Sequence, residues 1–180
     1  MGQANRTETG HSDWRRWMDQ PLRVADSRSP WNGRTVRLEV KQGRIAQIKS
    51  TSEAPAAWVS PGWVDLYAEL CAPGFEERET LTQLGTLAAR GGFTDVFAMP
   101  NTQPALDHGS VWQSVMNQAQ DLPVTLHPAG QLTQGAAGES MAELAELVDL
   151  GAKVFSDGGK PLQNAHLFWR CLLYLSREPV

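Results

Sequence analysis

The chain has 180 residues and 41% apolar content, enough for a sizeable buried core and ordinary for a globular protein. Its 16 basic and 20 acidic residues give a net charge of −4, so the composition does not indicate a nucleic-acid-binding surface. No apolar run is long enough to span a membrane, and no signal-peptide core follows the N-terminus. The two cysteines are far apart in sequence and form no ligand pair, so we expect a reduced, cytoplasmic protein.

The N-terminal third of the sequence contains a polar segment followed by a small β portion. Residues 1–20 show no sustained periodicity, which predicts a mobile tail. A single helical turn that docks through Trp14 and Trp17 is the alternative. Within residues 21–60, apolar positions alternate on both sides of a Gln-Gly turn, which predicts a β-hairpin over residues 36–48.

The segment from residue 61 to residue 107 has the pattern of strand, helix, strand. Alternation predicts the first strand over residues 63–70, and it places three polar side chains on one face: Asp65, Tyr67 and Glu69. The helix is expected to end at Gly91-Gly92, before a second strand over residues 94–99. Three glutamates are expected in the first turn of this helix, where its dipole favours them: Glu76, Glu77 and Glu79.

The same rhythm of strand and helix continues towards the C-terminus. A third strand is predicted over residues 124–127 and a fourth over residues 153–156, each followed by a helix. A helix between two such strands is a parallel crossover, normally right-handed, so the fold class is α/β. The predicted N-terminal caps of the three later helices are Ser110 with Gln113, Ser140 with Glu143, and Asn164.

Specific motifs surround the first two of these four strands. They are Pro61-Gly62, Val64-Asp65, Pro73-Gly74-Phe75-Glu76, Gly91-Gly92-Phe93-Thr94 and Met99-Pro100-Asn101-Thr102. This run closely resembles the dihydroorotases of the amidohydrolase superfamily. Their first-strand signature is Pro-Gly-x-Val-Asp-x-His-x-His-x-Arg-x-Pro-Gly, with Met-Pro-Asn after the second strand. Leu132-Thr133-Gln134-Gly135 resembles the pattern of the same family after its third strand.

The resemblance implies the N-terminal half of a (β/α)8 barrel. We expect residues 61–180 to form four βα units with the strand order 1-2-3-4, beside a β-hairpin that this family places in a small β-sandwich. The sequence stops where the fifth strand of the family would begin, so we expect a truncated half-barrel. Its first and fourth strands would then be unpaired edges. An open doubly wound sheet with an order such as 2-1-3-4 is the alternative, although the sequence lacks the Gly-rich phosphate loop typical of it.

The sequence departs from the family where the chemistry should be. Tyr67 and Glu69 stand at the positions of the two metal-binding histidines, and Cys71 stands at the position of the arginine that grips the substrate carboxylate. Asn101 matches the residue that helps bind this carboxylate, and Asp157 matches an acidic metal ligand. The resemblance therefore implies no cofactor in this chain, because a zinc site needs about three protein ligands.

Each candidate residue also has a structural interpretation. Tyr67 fills the space of the absent metal with its hydroxyl hydrogen-bonded, while Glu69 is hydrogen-bonded or solvated at the open mouth of the barrel. Cys71 is a nucleophile only if His127, at the predicted end of the third strand, lies near it. His127 is otherwise a structural residue, and Asp157, which precedes two glycines, is a turn residue.

Three hypotheses for function remain open. The chain is a catalytically inactive dihydroorotase-like protein of pyrimidine biosynthesis that acts as a structural partner, and the resemblance names aspartate transcarbamoylase as the partner. Alternatively, it is an active cyclic amide hydrolase with an atypical zinc site, such as Glu69, His127 and Asp157 together with ligands from the missing half of the barrel. In the third hypothesis it is a fragment without a function of its own. In each case the unpaired edges of the half-barrel predict that the isolated chain self-associates or is insoluble.

Overall fold

A computed structural model describes residues 20–177, so the predicted tail lies outside the described residues except for Gln20. The chain divides into two compact units, with the boundary between Pro61 and Gly62. Within residues 20–177, no helix has the length and apolar character required to cross a bilayer. In chain order the elements are β1 (Leu22–Val24), β2 (Thr35–Lys41), β3 (Arg44–Ser50), β4 (Ala57–Val59), β5 (Trp63–Glu69), α1 (Leu81–Arg90), β6 (Phe93–Met99), α2 (Gly109–Ala119), β7 (Thr125–Gly130), a 3-10 turn (Gln134–Ala136), α3 (Leu144–Asp149), β8 (Val154–Phe155) and α4 (Ala165–Leu175).

The first unit contains a four-stranded sheet with the order β3-β2-β1-β4. β2 and β3 form the predicted hairpin, and its turn residues Gln42 and Gly43 both have positive φ, as a tight type I′ turn requires. β1 pairs antiparallel with β2 and parallel with β4. Sequence analysis missed these two strands, because three residues are too few to show alternation. The core of this sheet consists of Leu22, Val24, Val36 and Leu38.

The second unit contains a parallel four-stranded sheet with the order β5-β6-β7-β8. This confirms the predicted sequential order and excludes the doubly wound alternative. Val96 and Ala98 of β6 are fully buried, together with Leu126 of β7, against Trp112 and Val115 of α2. The helices thus pack on the apolar face of the sheet, and the four βα units together form half of a (β/α)8 barrel.

On the other face of this sheet, a polar contact joins β6 to β7. The Nε2 atom of His127 lies 3.0 Å from Oδ1 of Asp95, and the imidazole stacks on Phe97 with 4.6 Å between ring centroids. Thr94 donates a second hydrogen bond to the Asp95 carboxylate at 2.9 Å. The His127 contact, and then the Thr94 contact, hold the pKa of Asp95 below its usual range. The charged form of Asp95 is therefore favoured in the folded protein.

β5 does not keep the strict alternation that the sequence predicted. Asp65 is in register with Val96 and Ala68 with Ala98, so β5 uses one more residue than β6 over this stretch. An extra residue of this kind is a β-bulge, and it reverses the faces of the residues on either side of it. Asp65 therefore lies on the same face as the buried Val96. The prediction that Asp65 shares a face with Tyr67 is wrong.

The first helix starts later than the glutamates had indicated. α1 begins at Leu81, and Thr80 is its N-cap. The Thr80 hydroxyl accepts a hydrogen bond from the Gln83 amide at 3.2 Å, and the Gln83 side chain accepts one from the Thr80 amide at 2.9 Å. This capping box lies one turn beyond the predicted start, and α1 has no acidic residue in its first turn.

Two of the other predicted caps are also wrong. α2 begins at Gly109, and its first amide donates to Oε2 of Glu146, 37 residues away in sequence, at 2.9 Å. Ser140 donates its hydroxyl to Gln134, and α3 begins at Leu144 without a side-chain cap. Asn164 does cap α4, as predicted, by accepting from the Leu167 amide at 3.0 Å. A cap supplied from a distant element leaves no local pattern in the sequence.

The distant cap of α2 can be tested by substitution. Glu146→Ala removes the acceptor of the Gly109 amide, so we expect the free energy of unfolding to fall by about 1 kcal/mol, as for other lost caps. Urea denaturation followed by circular dichroism measures the change. Glu143→Ala is the matched control, because the Glu143 side chain forms no cap. Equal effects of the two substitutions would contradict the assignment.

The Asp95–His127 contact predicts a specific dependence of stability on pH. Folding lowers the pKa of Asp95. The stabilisation that its carboxylate gives to the folded protein is therefore complete above the unfolded-state pKa of about 3.9, and it is lost as pH falls through the lower folded-state pKa. Urea midpoints measured from pH 7 to pH 3 should therefore fall less steeply for Asp95→Asn than for the unsubstituted chain. The control is Asp121→Asn, at an exposed site. Parallel pH profiles for the Asp95 variant and the unsubstituted chain would contradict this role.

Candidate functional site

Parallel pairing places the carboxyl ends of β5, β6, β7 and β8 along one edge of the second sheet, which is the catalytic edge in barrels of this type. The loops after β5 and β6 lock together at this edge. The Gln103 amide donates to the Pro73 carbonyl at 2.8 Å. Gly74 has a φ of +106°, and a side chain there would collide with the backbone of Gln103. Only glycine fits this approach, which lets the two loops pack backbone against backbone.

The resemblance places Tyr67 and Glu69 at the two positions of the metal-binding histidines of the related family. Tyr67 is largely exposed, and its amide donates to Oδ1 of Asp65 at 2.9 Å. Glu69 accepts a hydrogen bond from Nη2 of Arg78 at 2.8 Å, and both side chains are about half exposed. Sequence analysis did not identify Arg78. The guanidinium of Arg78 supplies the positive charge beside a carboxylate at a ligand position.

Cys71, which the resemblance places at the position of the carboxylate-binding arginine, is buried, with 6% of its surface exposed. Burial raises the pKa of the Cys71 thiol, and this effect outweighs the opposing influence of Arg78. The thiolate is the reactive form of cysteine, so a raised pKa makes Cys71 a poor nucleophile at neutral pH.

His127 does not stand at the end of its strand, contrary to the prediction. β7 continues through Pro128, which is in register with Ala98, and ends at Gly130. Pro128 does not end the strand, because a proline lacks only the amide donor and its carbonyl can still accept a hydrogen bond. His127 therefore lies within the strand, and the structure pairs its imidazole with Asp95 rather than with Cys71.

Asp157 follows β8 and is buried, with 9% of its surface exposed. Its Oδ1 atom accepts hydrogen bonds from the amides of Leu132 and Thr133 at 2.9 and 3.0 Å, and its Oδ2 atom accepts from the Thr133 hydroxyl at 2.6 Å. These three bonds hold the loop after β7 against the loop after β8. The Asp157 carboxylate is thus engaged within the protein.

Asn101 follows β6 and remains partly exposed at the edge of the sheet. Its side-chain oxygen lies where a Cβ atom on Gly158 would approach it to 2.8 Å, and Gly158 has a φ of +66°. The conformation and the close approach both favour glycine at position 158. Asn101 therefore stands over the backbone of the loop after β8, with its amide within reach of solvent.

Gln131 is a buried polar residue of this edge that sequence analysis missed. It is 4% exposed, and its Nε2 atom donates to the Pro100 carbonyl at 3.2 Å. The backbone amide of Gln131 donates to the Leu106 carbonyl at 3.0 Å, while the side-chain Oε1 atom has no hydrogen-bond partner among the described residues. Gln131 thus fixes the backbone that carries Asn101. Residue type and spacing gave no indication of this role, because the contacts lie between separate loops.

The residues present do not fit the zinc site of the related family. In the part of the chain that the structure describes, no three histidine, cysteine, aspartate or glutamate side chains group closely enough to hold a metal ion. Glu69 is paired with Arg78, His127 with Asp95, and the Asp157 carboxylate accepts three hydrogen bonds. A zinc site requires about three converging ligands.

Comparisons with known proteins agree with this architecture. A family model described as Dihydro-orotase-like matches residues 57–173. The dihydroorotase of Pelotomaculum thermopropionicum is 42% identical over 122 residues, which cover 68% of this chain and 29% of that protein. The dihydroorotase of Geotalea daltonii is 37% identical over 150 residues, which cover 78% of this chain and 35% of that protein. The chain thus spans about a third of the length of these curated relatives.

A solved structure supports the fold independently. The L-hydantoinase (dihydropyrimidinase) of Arthrobacter aurescens superimposes with a TM-score of 0.57 and 22% identity, over 76% of this chain and 31% of that one. The family model covers most of the second unit, and the sequence carries the motifs that surround the first two barrel strands. The chain therefore belongs to the dihydro-orotase-like family.

Proposed function

We propose that this chain is a dihydroorotase-like protein of pyrimidine biosynthesis that does not hydrolyse dihydroorotate and serves as a structural partner. The observation that carries the proposal is the ion pair between Glu69 and Arg78 at a metal-ligand position. An exposed pair of this kind contributes little to stability. It nevertheless balances the Glu69 charge within the protein, so this carboxylate needs no metal ion beside it.

The remaining side chains of the edge support the same proposal. The hydrogen bonds to Asp157 would have to break before its carboxylate could bind a cation. Cys71 offers no guanidinium to a substrate carboxylate. Losing such a charge-assisted, bidentate contact costs on the order of 2–3 kcal/mol. Asn101 alone keeps a substrate-binding position of the family, and one amide is too little for catalysis.

The structural role requires a partner, and we propose aspartate transcarbamoylase. Inactive dihydroorotase-like chains assemble with this enzyme in the family that the sequence resembles. The close contact of Gly74 with Gln103 and the hydrogen bonds to Asp157 support such a role, because they hold the loops of this edge together without a metal ion.

The catalytic part of the proposal predicts an inactive chain. After expression with added zinc, we expect no ring opening of dihydroorotate above the uncatalysed rate, measured by absorbance. The dihydroorotase of Pelotomaculum thermopropionicum is the positive control in the same assay. Arg78→Ala tests whether the ion pair merely blocks a competent site. We expect this variant to stay inactive, since the histidine ligands are still missing. Turnover by the unsubstituted chain or by this variant would favour the atypical zinc hydrolase instead.

The structural part predicts a stable complex. When the chain is co-expressed with the aspartate transcarbamoylase of its own organism, we expect the two to elute together in size-exclusion chromatography. A tagged, unrelated protein of similar size is the control for non-specific capture. Separate elution at micromolar concentrations would contradict this partner and leave the catalytic prediction untouched.

A further inference from the structure

The net charge of −4 for the whole chain conceals a difference between the two units. Residues 62–177 carry thirteen acidic and six basic side chains, whereas residues 20–61 of the first unit carry seven basic and three acidic ones. Residues 20–61 therefore have a net charge of +4. The composition of the whole chain does not indicate this, because the charges of the two units partly cancel.

Five of these seven cations lie on one face of the first sheet. Arg37 is in register with Lys49, and Lys41 with Arg44, so the members of each pair stand side by side. Arg23 of β1 is in register with position 35 of β2. Positions 35, 37 and 41 share a face, because side chains alternate along a strand with a period of two residues. The opposite face carries the buried core of this sheet. We call the five cations and Trp58 the basic face: Arg23, Arg37, Lys41, Arg44, Lys49 and Trp58.

Arg23 and Trp58 form an exposed cation–π pair on the basic face. They are in register on β1 and β4, and the guanidinium carbon lies 5.8 Å from the centroid of the indole ring. Trp58 has 69% of its surface exposed. The Nε atom of Arg23 is buried and has no hydrogen-bond partner within residues 20–177. Tryptophan and arginine are the residue types most enriched at the positions that dominate binding in protein interfaces.

The basic face already binds carboxylates of its own unit. Arg37 donates from Nε and Nη2 to the two carboxylate oxygens of Glu53 at 3.1 and 2.7 Å. Nζ of Lys41 lies 2.7 Å from Oε1 of Glu39. The hydrogen bond from Lys41 lowers the pKa of Glu39, and the hydrogen bond from Arg37 lowers the pKa of Glu53. Carboxylates are therefore favoured as ions on this face.

The other three cations of the basic face are Arg23, Arg44 and Lys49, and none of them forms a salt bridge within the described part of the chain. Cations are rarely buried without partners, because the loss of their hydration is costly. An apolar layer therefore cannot cover this face, whatever further chain surrounds the unit. The basic face is suited to water or to an anionic partner.

We propose that the basic face binds an acidic segment of a protein partner. Carboxylates of this segment pair with the three cations that lack a salt bridge, beside the exposed indole of Trp58. A nucleic acid fits less well, because Glu39 and Glu53 lie among the cations and repel a uniformly charged phosphate backbone. A protein segment can space its carboxylates to avoid these two glutamates. The inference goes beyond the proposed function, since it requires neither an inactive site nor a particular partner.

The probe is a fluorescein-labelled short peptide of glutamate, serine and leucine, and fluorescence anisotropy follows its binding to the full chain. We expect saturable binding that weakens as salt is raised from about 50 to about 200 mM. Arg23→Gln and Trp58→Ala should each raise the dissociation constant about fivefold or more. Arg28→Gln is the matched control, because it removes the same charge from an exposed residue outside the sheet. This control should change the dissociation constant by less than about twofold.

Nuclear magnetic resonance spectra locate the contact. The peptide should shift the side-chain N–H signals of Arg23 and Trp58, and it should leave the indole signal of Trp112, which is buried in the second unit, in place. Circular dichroism checks that each variant is folded. No binding of the peptide, equal binding of a copy with glutamine in place of glutamate, or an equal loss with Arg28→Gln would each overturn the proposal. Tighter binding of single-stranded oligothymidine at the same residues would also overturn it, in favour of a nucleic acid.

Discussion

The parallel alignment of four strands is the constraint on which the whole second unit depends. Pairing of β5, β6, β7 and β8 in order brings four strand ends to one edge, although they are far apart in sequence. Burial of Val96 and Ala98 against the helices fixes which face of β6 is apolar. A shift of one residue would exchange the two faces, so this burial sets the register. The loops can then meet, as Gly74 meets Gln103 and Gly158 meets Asn101.

The polar side chains at this edge of the sheet are engaged with one another and with the backbone. Hydrogen bonds from the loop after β7 occupy Asp157, and Gln131 holds the Pro100 carbonyl. These contacts serve the fold whether or not a metal binds. At the end of β5, in contrast, Glu69 forms an ion pair with Arg78 at a position that the resemblance assigns to a metal ligand. The contacts that hold the loops together thus involve other side chains than those at the ligand positions that the resemblance implies on β5.

The sequence predicted the fold more fully than the site. Periodicity identified the four strands of the second unit and their helices, because apolar burial repeats along each element. It missed the bulge in β5, which appears only when the register with β6 is known. It also missed the cap from Glu146 and the pairing of His127 with Asp95, because both join segments more than 30 residues apart. The resemblance indicated Tyr67, Glu69, Cys71, Asn101 and Asp157 as site residues, which stays a prediction, and only the structure shows what these residues contact.

The most direct test of the proposal that this edge of the sheet holds no zinc is crystallographic. Crystals of the chain grown with excess zinc would be measured at the zinc absorption edge, where anomalous differences locate the metal. We predict no anomalous peak at the carboxyl ends of β5 and β8. The Glu69 carboxylate should remain on Arg78, and the Asp157 carboxylate on Leu132 and Thr133. A well-occupied zinc ion about 2.0–2.2 Å from a carboxylate oxygen of Glu69 or Asp157 would contradict the prediction.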